Sequence, residues 1–146
     1  MSFGFYGSVP VVKKAIDEAL SKPVLVFAAA SNNGTRRKVI FPAYLPGVIC
    51  INSATADGVP SGFNPPLDAA RNFSIIGENV CSAWITHSVK DRKADEKRMS
   101  GTLVATPIVA GVAALLLEFA MQSDPSDPVT DTLLKAQLGG SSNMTV

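Results

Sequence analysis

The sequence predicts an α/β domain built on a mostly parallel sheet. Three observations carry that expectation. An amphipathic segment, Pro10 to Lys22, is followed by a wholly apolar run, "VLVFAAA" (Val24 to Ala30). A second such run, "GVICINSA" (Gly47 to Ala54), lies one loop further on. Strands covered on both faces, as parallel sheets require, read as continuous apolar runs, and helix-then-buried-strand is one step of an α/β crossover.

Each element has a local cause. In "PVVKKAIDEALSK", Val12, Ile16, Ala19 and Leu20 share one helical face, while Lys13, Lys14, Asp17 and Glu18 face outward. Pro10 suits a first helical turn and Pro23 ends the helix. "SNNG" closes the first strand, and the proline-punctuated "FPAYLPG" leads into the second. Thr55 to Asp68 reads as loop, and "RNFSIIGENVCSAW" as two short strands around Gly77. The mixed-charge run Lys90 to Arg98 reads as a solvated loop or surface helix. Residues 1–121 are expected to form the domain, and 122–146 a polar linker with a short helical piece, "DTLLKAQL", and a disordered tail.

Composition narrows the function classes. With 146 residues, 47% hydrophobic and 17% charged, the chain can bury a core and is not disordered over most of its length. A net charge of +1 gives no electrostatic footprint for nucleic acid or an acidic membrane. Neither GxGxxG nor GxxxxGK[ST] occurs, the single histidine and scattered acids give no metal spacing, and no cofactor is expected. Cys50 and Cys81 both lie in apolar runs and read as buried free thiols, with a disulfide or metal site as the alternative. The N-terminus lacks the basic and apolar regions of a signal peptide. The longest apolar run, Ile108 to Leu117, falls short of the roughly 18–20 residues needed to cross a bilayer. A cytoplasmic location is the default expectation.

The stretch "SGTLVATPIVAGVAALLLEFA" (Ser100 to Ala120) has a peculiar design. A helix of Ala, Val, Gly and Leu on every side is expected to be buried all round. Its buried N-terminus then exposes unpaired N–H groups and partial positive charge that must be satisfied. Two readings stay open on these local facts: a seat for a nucleophile or anion, or simple capping by the hydroxyls of Thr102 and Thr106.

The wording adds a resemblance. "GTLVATPIVAG" resembles the nucleophile segment of the subtilisin-like serine proteases, Gly-Thr-Ser-Met-Ala-Thr/Ser-Pro-His-Val-Ala-Gly, matching at Gly101, Thr102, Ala105, Thr106, Pro107, Val109, Ala110 and Gly111. "VLVFAAASNNG" resembles the family's strand and loop ending in Ala-Ala-Ala-Gly-Asn-x-Gly. "FPAYLPGVICINSA", "NFSIIGENV" and "MSFGF" resemble three further family segments in the same order, the last being the strand that lines the substrate cleft. The versions found in fungal multidomain proteins are the most similar in wording. The resemblance implies a three-layer subtilisin-like fold and peptide-bond hydrolysis by ancestry. It places Asn32 at the oxyanion-hole position, with Ser31 where glycine is usual, and Phe41-Pro42 where a cis bond is common. It also implies a cleft lined by Ser2, Phe3, Gly4, Ala30 and Ser31, with an extended peptide as ligand. Asn32 has a plainer reading too, as a turn residue ahead of Asn33-Gly34.

The same resemblance exposes departures. Subtilisin catalysis uses Asp, His and Ser in that chain order. The nucleophile position here is Leu103, which has no atom that can attack a carbonyl. The family's Asp and His segments precede the cleft strand, and the sequence opens at that strand, so both are expected to be missing and the sheet incomplete on its N-terminal side. His87 falls on the wrong side of Asn32 to act as base, and Ser100 and Thr102 are offset from the lost position. The first reading is therefore a subtilisin-like domain without protease activity. Alternatives are a peptide-binding or regulatory module that keeps the cleft, and a partial product whose longer form retains a triad. Apolar surface left without its usual neighbours is expected to favour self-association.

Overall fold

The computed structural model describes residues 1–66, 72–84 and 95–122. Helix α1, Pro10–Leu20, starts with proline in its first turn and buries Ile16. Half-buried Val12 and Leu20 join Ile16 against Ala28, Ala30, Val48 and Cys50. Outside, Lys13 and Asp17 form an exposed i,i+4 ion pair at 2.7 Å, worth a few tenths of a kcal/mol. The helix stops two residues earlier than its sequence pattern suggested. Ser21 turns there, its N–H donating to Asp17 O and its hydroxyl to Glu18 O.

Strands β1 (Val26–Ala29), β2 (Val48–Ala54) and β3 (Asn72–Ile76) form a parallel sheet in that order. β2 is central, and all its residues but Ile49 are buried. β1 pairs Val26 with Val48 and Ala29 with Ile51. Among the described residues its other edge meets Met1, whose amino group donates to Phe27 O and whose carbonyl accepts from Ala29 N–H.

Side chains alternate across the sheet. Ala28, Val48 and Cys50 face α1. On the other face a Cβ added to Gly77 would meet Ser53 Oγ at 2.6 Å and Ala105 Cβ at 2.9 Å. Ala105 belongs to α2, Thr102–Gln122, which packs across all three strands. The architecture is thus α/β in three layers, helix, parallel sheet and helix, as the sequence implied.

Three expectations fail. α2 is not buried all round: its buried residues are Thr102, Ala105, Thr106 and Ala120, while Leu115 is 73% and Phe119 60% exposed. A three-stranded sheet covers one stripe of a helix and leaves the rest to solvent. α2 is also longer than the run Ile108 to Leu117. Its 21 residues are long and apolar enough to cross a bilayer by length and composition. Second, part of the mixed-charge run is a strand, β5 (Asp95–Met99), antiparallel to β4 (Val80–Trp84). Cross-strand pairing overrides its charge, with Lys97 sitting 4.0 Å from the Trp84 ring centroid. Third, Cys81 on that hairpin is exposed, and its thiol donates to Glu96, which pushes its pKa up. Cys50 is a buried free thiol, its pKa pushed up to about 11 by burial. His87, most of the charge run and the expected C-terminal helical piece lie outside the described residues.

Candidate functional site at the entrance of the apolar helix

The loop after β1 and the first turn of α2 meet through Asn32. Its Oδ1 accepts from Thr102 N–H at 2.8 Å and from the Thr102 hydroxyl at 3.0 Å. An amide N–H can only donate, so this pair fixes which end of the Asn32 amide is oxygen. Ser31 N–H in turn donates to Thr102 Oγ1 at 3.3 Å. Thr102 is fully buried, so its hydroxyl is committed on both sides.

Neither local reading of the helix entrance anticipated this cap. Thr102 does not cap its own helix, and Thr106 donates to the Thr102 carbonyl inside it at 2.7 Å. The orphan N–H of the first turn is satisfied from outside, by Asn32. Gly101 makes the approach possible. Its φ is +155°, and a Cβ there would lie 2.6 Å from Asn32 Nδ2. The Gly101 carbonyl accepts from Val104 and Ala105, and Gly101 N–H donates to Gly77 O at 2.8 Å.

At this helix entrance two donors, Asn32 Nδ2 and Leu103 N–H, have no partner among the described residues. Both lie where the partial positive charge of the helix N-terminus is greatest. Leu103 itself is 43% exposed. Of the neighbouring hydroxyls, Ser100 Oγ accepts from Asn79 N–H at 2.9 Å, and Thr102 is buried.

The segment Ser2 to Gly4 is held at both ends, by Met1 on β1 and by Phe5 bridged antiparallel to Phe41. Ser2 and Phe3 are exposed and Gly4 half-buried. A Cβ on Gly4 would meet Ile40 Cδ1 at 2.3 Å, so the Ile40 side chain fills the space beside it. Ala30 is fully buried, its N–H donating to Ile51 O and its carbonyl accepting from Ile40 N–H. The Phe41–Pro42 bond is cis.

Ser31 is buried with φ at +151°, a region that suits glycine. Its hydroxyl accepts from Asn33 N–H at 3.2 Å and from Asn33 Nδ2 at 2.8 Å. Backbone strain of this kind costs about 1–3 kcal/mol, and two partly solvated hydrogen bonds return about 1 kcal/mol. Ser31→Gly is therefore expected to raise stability by about 1 kcal/mol, and Ser31→Ala to lower it by about as much. Urea unfolding midpoints check this. A glycine variant less stable than the alanine variant would show that no strain is present.

Sequence reasoning missed the rim of this region. Asn33 Nδ2 also donates to Tyr6 Oη at 3.4 Å, and the Arg37 guanidinium lies 4.4 Å from the Tyr6 ring centroid. The signal was an aromatic close in sequence to Ser2 to Gly4 and a basic triplet in "TRRK", but no spacing joins residues so far apart in the chain.

Comparison with known proteins settles the kinship. A sequence profile described as "Subtilase family" matches residues 1–144. The chain belongs to the subtilase family. It is 31% identical over 118 residues to the subtilisin-like protease het-Q2 of Podospora anserina, covering 77% of this chain and 31% of that protein. It is 28% identical over 127 residues to the minor extracellular protease Epr of Bacillus subtilis, covering 87% of this chain and 18% of that one. Among solved structures it is similar to the prenylagaramide maturation protease PagA, with TM-score 0.72 and 30% identity, over 92% of this chain and 49% of that one. The patellamide maturation protease PatA gives TM-score 0.71 and 26% identity, over 92% of this chain and 48% of that one. The subtilase segment therefore spans a third or less of these curated relatives and about half of these solved chains.

Proposed function

We propose that this subtilase segment does not hydrolyse peptide bonds and keeps a cleft that binds an extended peptide. One observation carries the first half. At the step into α2 where the family's wording has serine, beside the Asn32 amide, stands Leu103. Leucine offers no lone pair, and the hydroxyls on either side are engaged elsewhere. An Asp and a His supplied by a longer protein would meet no hydroxyl at this position. The test is intact mass after exposure of the folded chain to a fluorophosphonate probe.

The second half rests on the two free donors, Asn32 Nδ2 and Leu103 N–H. In a subtilase such donors stabilise the oxyanion of a tetrahedral intermediate. With no nucleophile to form one, they can still hold a peptide carbonyl. Ser2 to Gly4 adds backbone groups for strand addition.

The exposed apolar side chains of α2, with the one-sided edge of β1, favour self-association of the isolated chain. Sedimentation is expected to show mass rising with concentration, together with binding of a hydrophobic dye. A monomer at high concentration that binds no dye would overturn this.

A further inference from the structure

We propose that the rim beside Asn32 selects a peptide carrying an acidic side chain, which Arg37 receives while stacked on Tyr6. This rests on the peptide-binding reading of the cleft. Ile40 Cδ1 sits where a Gly4 side chain would be, and Ile40 N–H donates to Ala30 O, so this side chain takes up the space beside Gly4. A peptide side chain entering there finds no depth and must lie outward, along the rim.

The rim is organised. Ser31 Oγ holds the Asn33 amide, and Asn33 Nδ2 donates to the Tyr6 phenol. Tyr6 is 70% exposed, and its ring face carries the Arg37 guanidinium at 4.4 Å. A guanidinium held over a ring face keeps N–H groups for another partner, and these match a carboxylate in two parallel hydrogen bonds. Arg36 stands next to it, equally exposed. No ion pair is seen between Arg36 or Arg37 and an acidic side chain among the described residues. In a chain of net charge +1, two adjacent arginines with no acidic partner among the described residues are a local feature. Arg37 is linked through Tyr6 to Asn33, the residue next to Asn32, so its charge lies beside the site and not merely on the surface.

The experiment uses fluorescein-labelled octapeptides in pairs that differ only by Glu or Gln at one position, scanned along the peptide, with anisotropy as readout. At one position the Glu peptide is expected to bind about tenfold tighter than its Gln partner. Arg37→Ala is expected to bring that ratio to about one, and Arg37→Glu to invert it toward a Lys peptide. The preference is expected to shrink as salt rises from low to high concentration. Circular dichroism checks that these exposed substitutions leave the fold intact. Equal binding of Glu and Gln peptides at every position would overturn the inference while leaving the peptide-binding reading in place. A Glu preference that survives Arg37→Ala would overturn the assignment to Arg37. Failure of every peptide to bind would bring down the reading itself, and the inference with it.

Discussion

Incubated with a fluorophosphonate probe, the folded chain is expected to keep its unmodified mass. These probes report a hydroxyl activated by a neighbouring base. At the entrance to α2 the candidates are few: Leu103 has no hydroxyl, Ser100 Oγ accepts from Asn79 N–H, and Thr102 Oγ1 is buried between Ser31 and Asn32. In subtilisin, removing the serine alone costs on the order of 10⁶ in kcat, because the remaining groups act through it. The oxyanion donor contributes about 10² to 10³ there, but only to an intermediate that must first form. An intact Asn32 amide therefore rescues nothing. A stoichiometric adduct, mapped by peptide mass to Ser100 or Thr102, would show that another hydroxyl has been recruited, and would overturn the non-hydrolytic reading. A denatured control excludes adventitious labelling.

Gly101→Ala is expected to be the most damaging small substitution at the site. Two costs combine. A φ of +155° is nearly closed to alanine, at about 1–3 kcal/mol. The new Cβ would lie 2.6 Å from Asn32 Nδ2, forcing away the amide that caps α2 through Thr102 N–H. Losing that pair of hydrogen bonds adds about 1–2 kcal/mol. The sum is about 3 kcal/mol, or a melting point lower by about 10 °C in a domain of this size. Asn32→Ala removes the amide without the backbone strain and is expected to cost only about 1–2 kcal/mol. If the two variants melt together, the φ at Gly101 carries no strain and the close approach described here is wrong.

Much of the fold was legible along the chain. "VLVFAAA" and "VICINSA" announce doubly covered strands because every side chain must avoid water, whichever face it occupies. Pro10 and the i, i+4 spacing of Ile16 and Leu20 announce α1 in the same way. The strand in "DEKRM" was hidden because its cause is the partner across the hairpin, from Val80 opposite Met99 to Trp84 opposite Asp95. Local composition cannot report a pairing partner. The exposure of α2 was hidden for a related reason: composition says that a helix seeks cover, and only the width of the sheet says how much it finds.

The site divides along the same line. The sequence by itself determined that leucine stands at 103, where the motif it resembles reads serine, and that Asn32 follows the first strand, since both are matters of which residue stands in a motif. Tertiary structure alone decided what those residues do to each other. Asn32 and Thr102 are separated by 70 residues, and only the parallel sheet, with α2 laid across it, brings the amide to the helix end. The same holds for Arg37 on Tyr6 and for Ile40 against Gly4. Hydrogen bonds, stacking and steric exclusion act over a few ångströms, and the chain path, which no short motif encodes, sets which groups come that close.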